Sequence, residues 1–121
     1  MKFEGIYTPV ITPHRSDGGI DHDALAAQIE HLIAAGVHGL INGGSTGEYY
    51  AQSLDERRET ASFVKDVIGD RVALMVGTVA IRLPDSIAMA EHAAQIGADA
   101  ILVGSPPYSV PTERENALNA L

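Results

Sequence analysis

The chain has 121 residues, a formal net charge of −8 from 8 Lys and Arg against 16 Asp and Glu, and no cysteine. We expect no nucleic-acid and no membrane binding, because an acidic chain without a basic patch cannot neutralise phosphates and no apolar run could cross a bilayer. The lack of cysteine excludes disulfides, thiolate metal ligands and cysteine nucleophiles. A hydrophobic share of 45% predicts a folded domain. The first residues carry no signal-peptide pattern, so we expect a cytoplasmic location.

An internal repeat organises the sequence. Residues 30–43 resemble residues 91–104, an offset of 61 residues, and a third copy of the pattern ends near residue 77. Each copy reads as a helix, a glycine, a short apolar strand and a second glycine. Two units per repeat give about 30 residues each, the size of one βα step. In chain order we predict β1 at 5–11, α1 at 22–35, β2 at 38–42, α2 at 54–68, β3 at 72–77, α3 at 84–96, β4 at 99–104, and α4 from 112.

Local signals support these elements. Asp21 is a candidate N-cap, and 53–56 and 112–115 have the pattern of capping boxes. Glycines follow the helices at positions typical of left-handed helix ends: Gly36, Gly69 and Gly97. The strands are continuous apolar runs, which indicates burial on both faces, as in a parallel sheet covered by helices. We predict a single α/β domain over 1–121, and the pattern alone fits a barrel or a doubly wound sheet.

Function in parallel α/β folds lies at the carboxyl ends of the strands. The loop after β2 contains Gly44, Ser45, Thr46 and Gly47, so glycine backbone and short hydroxyls come together there. Such a loop can bind a carboxylate or phosphate through N–H and O–H donors, and it can equally be a tight βα turn. It matches neither the P-loop nor the dinucleotide-binding pattern.

Other polar residues give weaker signals. Glu48 directly follows the loop and is more typical of a buried acceptor for loop N–H groups than of a catalytic acid. His14 and Tyr108 follow strands on the functional side, whereas Arg57, with its charged neighbours, indicates an ordinary solvated helix face. His31 recurs at the equivalent position 92, where we expect solvated or capping roles. No cluster has metal-ligand spacing, and we expect neither a metal nor a cofactor.

Three segments carry a resemblance to a known family: Thr12-Pro13, the stretch Asn42-Gly43-Gly44-Ser45-Thr46-Gly47-Glu48, and Gln52-Ser53-Leu54-Asp55-Glu56-Arg57. With Gly77, 97–100 and 106–108 in register, the whole chain resembles the dihydrodipicolinate synthase/N-acetylneuraminate lyase family of pyruvate-dependent aldolases and dehydratases. The resemblance implies the N-terminal half of a (β/α)₈ TIM barrel. It also implies a Schiff base between a lysine and a 2-keto acid, usually pyruvate, and a homo-oligomer.

The same resemblance assigns roles to residues. Ser45 and Thr46 would hold the keto-acid carboxylate within the Gly44–Gly47 loop, and the hydroxyls of Ser45 and Tyr108 would join a proton relay. Some relatives have a second tyrosine after the one at 108, and here Ser109 takes that place. This departure favours a sugar-acid aldolase or dehydratase over a dihydrodipicolinate synthase.

The nucleophile is the larger departure. The chain has only two lysines, Lys2 before β1 and Lys65 within α2, and neither lies at the carboxyl end of a strand. An amine nucleophile needs a desolvated pocket that lowers its pKa. In the family the Schiff-base lysine comes in the second half of the barrel, so we expect the 121-residue chain to be inactive alone.

Three hypotheses follow. The first is the N-terminal half of a pyruvate-dependent lyase. The second is a non-catalytic half-barrel that self-associates or pairs with a partner half, because open sheet edges tend to pair. The third is a small flavodoxin-like or anion-binding α/β domain that binds phosphate at 43–47.

Overall fold

The computed structural model describes residues 3–107 and 110–119, which form four βα units. The predicted elements are all present, and most helix bounds agree within one residue. The outer strands are shorter than predicted, since β1 and β4 each keep three residues, and Pro9 ends β1 where it cannot donate to a ladder. The elements are β1 Tyr7–Pro9, α1 His22–Ala34, β2 Gly39–Asn42, α2 Leu54–Ile68, β3 Ala73–Gly77, α3 Leu83–Gln95, β4 Ala100–Leu102 and α4 Glu113–Asn119.

The sheet is parallel, and its spatial order β1-β2-β3-β4 follows the chain. A doubly wound sheet reverses its strand order partway, as in the flavodoxin order 2-1-3-4-5. No reversal occurs among the described strands, so the flavodoxin-like hypothesis is wrong. Sequential parallel strands joined by helices are the first four units of a TIM barrel. The predicted half-barrel is therefore confirmed.

One face of the sheet forms the core with the helices. Leu40 and Leu74 are register partners and are fully buried. They pack in one cluster with Ile29 of α1, Val64 of α2 and Met89 of α3. The opposite face carries a row of register partners that are exposed, at Pro9, or only partly buried, at Ile41, Met75 and Ala100. In a complete barrel such a row fills the interior, which explains why it is apolar here.

The helix ends follow their sequence signals. Asp21 accepts a hydrogen bond from the Ala24 amide, and Ser53 and Glu56 form the predicted capping box. The second predicted box also forms, since Thr112 and Glu115 bond reciprocally. All three helix-ending glycines have positive φ, although Gly69 combines φ 59° with ψ −125°, outside the left-handed helical region. Within residues 3–107 and 110–119, the helices lack the length and apolar character that crossing a membrane requires.

Candidate functional site

The loop after β2 forms a short helical turn, Ser45–Gly47, at the carboxyl end of the sheet. Gly47 and Glu48 donate its two hydrogen bonds, to the carbonyls of Gly44 and Ser45 at 3.0 Å each. The first amides of a helical turn have no acceptor within it, and those of Ser45 and Thr46 bond no group in the described part of the chain. Both hydroxyls are likewise unbonded to described residues, and both side chains are exposed. The turn therefore offers up to four donors to a ligand.

Close backbone packing fixes the start of this turn. Gly43 adopts φ 76°, and a Cβ on it would lie 3.3 Å from the Gly77 carbonyl oxygen. A Cβ on Gly77 would overlap the Gly43 carbonyl oxygen and lie 2.7 Å from its carbon. Glycine is needed at both positions because β2 and β3 end in direct backbone contact. The turn is thus held against the end of the neighbouring strand.

A group of hydrogen bonds fixes the end of the turn. The buried Thr12 hydroxyl donates to the Gly47 carbonyl at 2.8 Å. The side-chain amide of Gln52 donates to the same carbonyl at 2.9 Å and to the Thr12 hydroxyl oxygen at 3.1 Å. A Cβ on Gly47 would lie 3.0 Å from the Val10 carbonyl oxygen. Thr12 and Gln52 belong to the motif that carried the family resemblance, yet a motif gives no hydrogen-bond partners, and sequence reasoning assigned them no role.

The prediction of a solvated helix face at Arg57 is wrong. Its side chain is 6% exposed, and its guanidinium leaves α2 to donate to the carbonyls of Val79 at 2.9 Å and Gly77 at 3.0 Å. The guanidinium carbon lies 5.1 Å from the centre of the Tyr49 ring. Burial lowers the pKa of Arg57 from its ordinary value, while Tyr49 and Asp85 act in the opposite direction. The charged neighbours of Arg57 led to the wrong prediction, because helix periodicity and not local charge decides which arginine of α2 faces the sheet.

The prediction for Glu48 is also wrong. Its side chain is exposed, and its carboxylate has no partner among the described residues. Its backbone instead adopts the left-handed conformation, φ 57° and ψ 41°, between two short helical turns. That conformation costs a non-glycine residue about 1–2 kcal/mol. Glu48 is therefore a point where the loop stores backbone strain directly after the Ser45–Gly47 turn.

The remaining candidates separate by location. Tyr108 lies outside the described residues, as does Lys2. His14 is exposed and forms an isolated backbone bridge with Ile20. His31 is exposed, as predicted, whereas His92 is half-buried and its Nε2 lies 2.9 Å from the Ser62 hydroxyl, so it joins α3 to α2.

Lys65 lies at the opposite end of the sheet from Ser45. Its Nζ donates to the Gly69 carbonyl at 3.0 Å and lies 3.6 Å from Asp70. It lines a cavity of about 490 Å³ with His38 and Ala73, residues at the amino ends of strands. Lys65 therefore cannot reach a ligand bound at the Ser45–Gly47 turn.

A larger cavity, of about 560 Å³, lies beside Arg57 and not at Ser45 or Thr46. Residues following β2, β3 and β4 line it, and the Arg82 and Asp85 side chains approach within 3.9 Å. Across residues 3–107 and 110–119, no three His, Asp or Glu side chains are grouped to hold a metal ion. The residues that line the cavity of about 560 Å³ are Tyr49, Tyr50, Gln52, Leu54, Arg57, Ala80, Ile81, Arg82, Asp85 and Pro107.

Comparisons with known proteins find relatives of this chain. The chain is 38% identical over 112 residues to the 4-hydroxy-tetrahydrodipicolinate synthase of Chelativorans sp. (strain BNC1), and 40% identical over 110 residues to the N-acetylneuraminate lyase of Rhizobium meliloti (strain 1021). These matches cover 93% and 89% of this chain but only 38% and 36% of the relatives.

A solved structure shows the same fold. YagE is a prophage protein of Escherichia coli K12, of the dihydrodipicolinic acid synthase family, solved in complex with pyruvate. It superposes with a TM-score of 0.93 at 37% identity, over 98% of this chain and 40% of that one. The model of the dihydrodipicolinate synthetase family matches residues 2–119. The chain therefore belongs to the dihydrodipicolinate synthetase family and spans less than half the length of the relatives it matches.

Proposed function

We propose that residues 1–121 form a single partial-barrel domain of a Schiff-base-forming lyase, an aldolase or dehydratase that acts on pyruvate or a 2-keto-3-deoxy sugar acid. The observation that carries this proposal is the Ser45–Gly47 turn, with its unpaired donors on a fixed backbone. Relatives named as a synthase and a lyase, and a relative solved with pyruvate, support the same reaction class.

The turn suits a planar carboxylate. Two backbone N–H groups and two hydroxyls, on Ser45 and Thr46, can bind two carboxylate oxygens without a cation, because hydrogen bonds to ionised groups are stronger than neutral ones. Gly44 is partly exposed and leaves the backbone at the start of the turn accessible, whereas Gly47 is buried and packs against the Val10 carbonyl. Thr12 and Gln52 hold the Gly47 carbonyl, so the donors are in place before the ligand arrives. Preorganised donors of this kind need little rearrangement on binding.

The covalent step needs an amine at the site, and Lys65, the one lysine among the described residues, lies at the opposite end of the sheet. A lysine attacks the keto carbon, the carbonyl oxygen leaves as water, and an imine forms. The Ser45 hydroxyl and Tyr108 would relay the protons that this exchange requires. The chain thus supplies the carboxylate contacts, and we propose that it is inactive alone. Ser109 next to Tyr108 favours a sugar-acid substrate.

Binding can be tested with the ¹⁵N-labelled 121-residue chain and NMR. Titration with pyruvate should shift the amide resonances of Ser45 and Thr46, and phosphate should shift them less. Ser45→Ala should weaken pyruvate binding, whereas Ser16→Ala, which removes an exposed hydroxyl from another loop, should not. Equal shifts with phosphate, or binding unaffected by Ser45→Ala, would contradict a keto-acid carboxylate site.

The second candidate is a non-catalytic half-barrel that pairs with a partner half or with itself. Within the described residues, β1 and β4 each have one neighbouring strand, and the apolar row of Pro9, Ile41, Met75 and Ala100 is only partly covered. Free edges of this kind pair readily. The family resemblance also favours a homo-oligomer. Sedimentation velocity separates the cases, because a stable dimer of the chain that binds no pyruvate would favour this candidate.

A further inference from the structure

The guanidinium of Arg57 connects the two flanks of the Ser45–Gly47 turn. On one side it donates to the carbonyls of Gly77, the last residue of β3, and Val79, which follows that strand. Gly77 in turn contacts the backbone of Gly43, immediately before the turn. On the other side the guanidinium lies over the ring of Tyr49, two residues after the turn. The buried Arg57 side chain thus contacts Gly77, which supports the start of the turn, and Tyr49, which follows the end of the turn.

We propose that Arg57 is a positioning residue that holds the amides of Ser45 and Thr46 in the geometry that binds a keto-acid carboxylate. This inference rests on the proposed function, because it concerns the same turn. Arg57 acts through Gly77 and Tyr49, and it does not line the turn itself. Its contacts come from two segments, residues 77–79 and Tyr49, so neither segment can move without breaking a contact with Arg57.

The hydrogen bonds and the ring contact at position 57 require an arginine, because an apolar side chain cannot make them. The side chain is 94% buried, and its Nε has no hydrogen-bond partner among the described residues. A buried charge with an unpartnered donor is costly, and an apolar side chain of similar volume often serves stability as well. The planar fork is needed to reach two carbonyls and to stack on a ring at once. Lysine offers one compact charge and cannot reproduce this geometry.

The adjacent cavity makes the role testable by chemical rescue. Arg57 and Tyr49 both line the space of about 560 Å³, so truncation at Arg57 leaves a site that solvent can reach. A free guanidinium ion can enter such a site and replace the missing fork. Rescue by a guanidinium ion would show that the planar cation, rather than side-chain volume, is what the turn needs.

The experiment compares Arg57→Met with Arg58→Met, because the side chain of this neighbouring arginine lies 3.7 Å from Asp55. Arg57→Met should weaken pyruvate binding about tenfold or more, measured by the Ser45 and Thr46 amide shifts, since charge-assisted hydrogen bonds are lost. It should also move these resonances in the ligand-free chain. Arg58→Met should do neither. Methylguanidinium should restore pyruvate binding to Arg57→Ala, and Arg57→Lys should remain impaired.

The outcomes separate the two proposals. If the original chain binds no pyruvate, the carboxylate site fails, and the ligand-free shifts of Ser45 and Thr46 still decide whether Arg57 positions the turn. If Arg57→Met unfolds, Arg57→Lys and the methylguanidinium rescue decide instead. Unchanged resonances and unchanged pyruvate affinity in folded Arg57→Met or Arg57→Lys, or no rescue of folded Arg57→Ala by methylguanidinium, would overturn the positioning role.

Discussion

The contact between Gly43 and Gly77 makes one substitution especially informative. In Gly77→Ala the added Cβ would overlap the Gly43 carbonyl oxygen, lie 2.7 Å from its carbon and lie 3.3 Å from the Gly44 nitrogen. All three atoms belong to backbone, so the strand ends must separate. The Gly77 carbonyl also accepts from Arg57, and that hydrogen bond would move with it.

The magnitude follows from overpacking. Forcing an extra methyl into a filled site costs about 1–3 kcal/mol of unfolding free energy. A urea dependence of about 1–3 kcal/mol per molar then lowers the unfolding midpoint by about 1 M. Urea denaturation followed by circular dichroism measures this shift.

A neighbouring glycine provides the control. Gly44 has φ −81° and ψ 179°, an extended conformation that alanine adopts freely. A Cβ added to Gly44 would lie 3.8 Å from the Ile41 side chain, which is ordinary van der Waals contact. Gly44→Ala should therefore raise the unfolding free energy by about 0.5 kcal/mol, through lower entropy of the unfolded chain. Equal urea midpoints for Gly77→Ala and the original chain would show that β2 and β3 do not need direct backbone contact at Gly43 and Gly77.

Three further substitutions test the scaffold. Thr12→Val should lower the unfolding free energy by about 1 kcal/mol and shift the Gly47 amide resonance, because the hydroxyl leaves the Gly47 carbonyl. Ser53→Ala should cost about 1 kcal/mol in urea denaturation, because the α2 capping box is lost. Arg71 lowers the pKa of Glu30 below 4.5 through their hydrogen bonds, so this contribution to stability is present above pH 4.5 and disappears as pH falls through the lowered pKa. Arg71→Met should flatten that acid dependence of the urea midpoint, and an unchanged profile would contradict the pairing.

Sequence patterns predicted elements better than contacts. The 61-residue repeat and the caps at Asp21, Ser53 and Thr112 predicted the α-helices of the described residues, because helix periodicity and capping are local. The outer strands were predicted too long, because strand length depends on neighbours that lie far away in the chain. Apolar runs could not distinguish a partial barrel from a doubly wound sheet, and the sequential strand order of the described residues distinguishes them.

At the candidate site, too, the sequence predicted local features better than contacts between distant residues. Glycine and hydroxyl residues after β2 correctly marked a turn at the carboxyl end of the sheet. The roles of Arg57 and Glu48 were mistaken, because a buried guanidinium and a left-handed glutamate depend on tertiary packing that overrides local charge. Thr12 and Gln52, 40 residues apart, meet only in the folded chain. The assignments of Ser45, Thr46 and Tyr108 remain predictions.

We propose that this chain binds a keto-acid carboxylate but does not supply the amine that forms the imine. Treating the labelled 121-residue chain with pyruvate and borohydride tests both statements in one sample. We predict pyruvate-dependent shifts of the Ser45 and Thr46 amides together with no reduced pyruvate adduct on either lysine by mass spectrometry. An adduct on Lys65 or Lys2, or pyruvate binding that leaves both amides unmoved, would contradict the account.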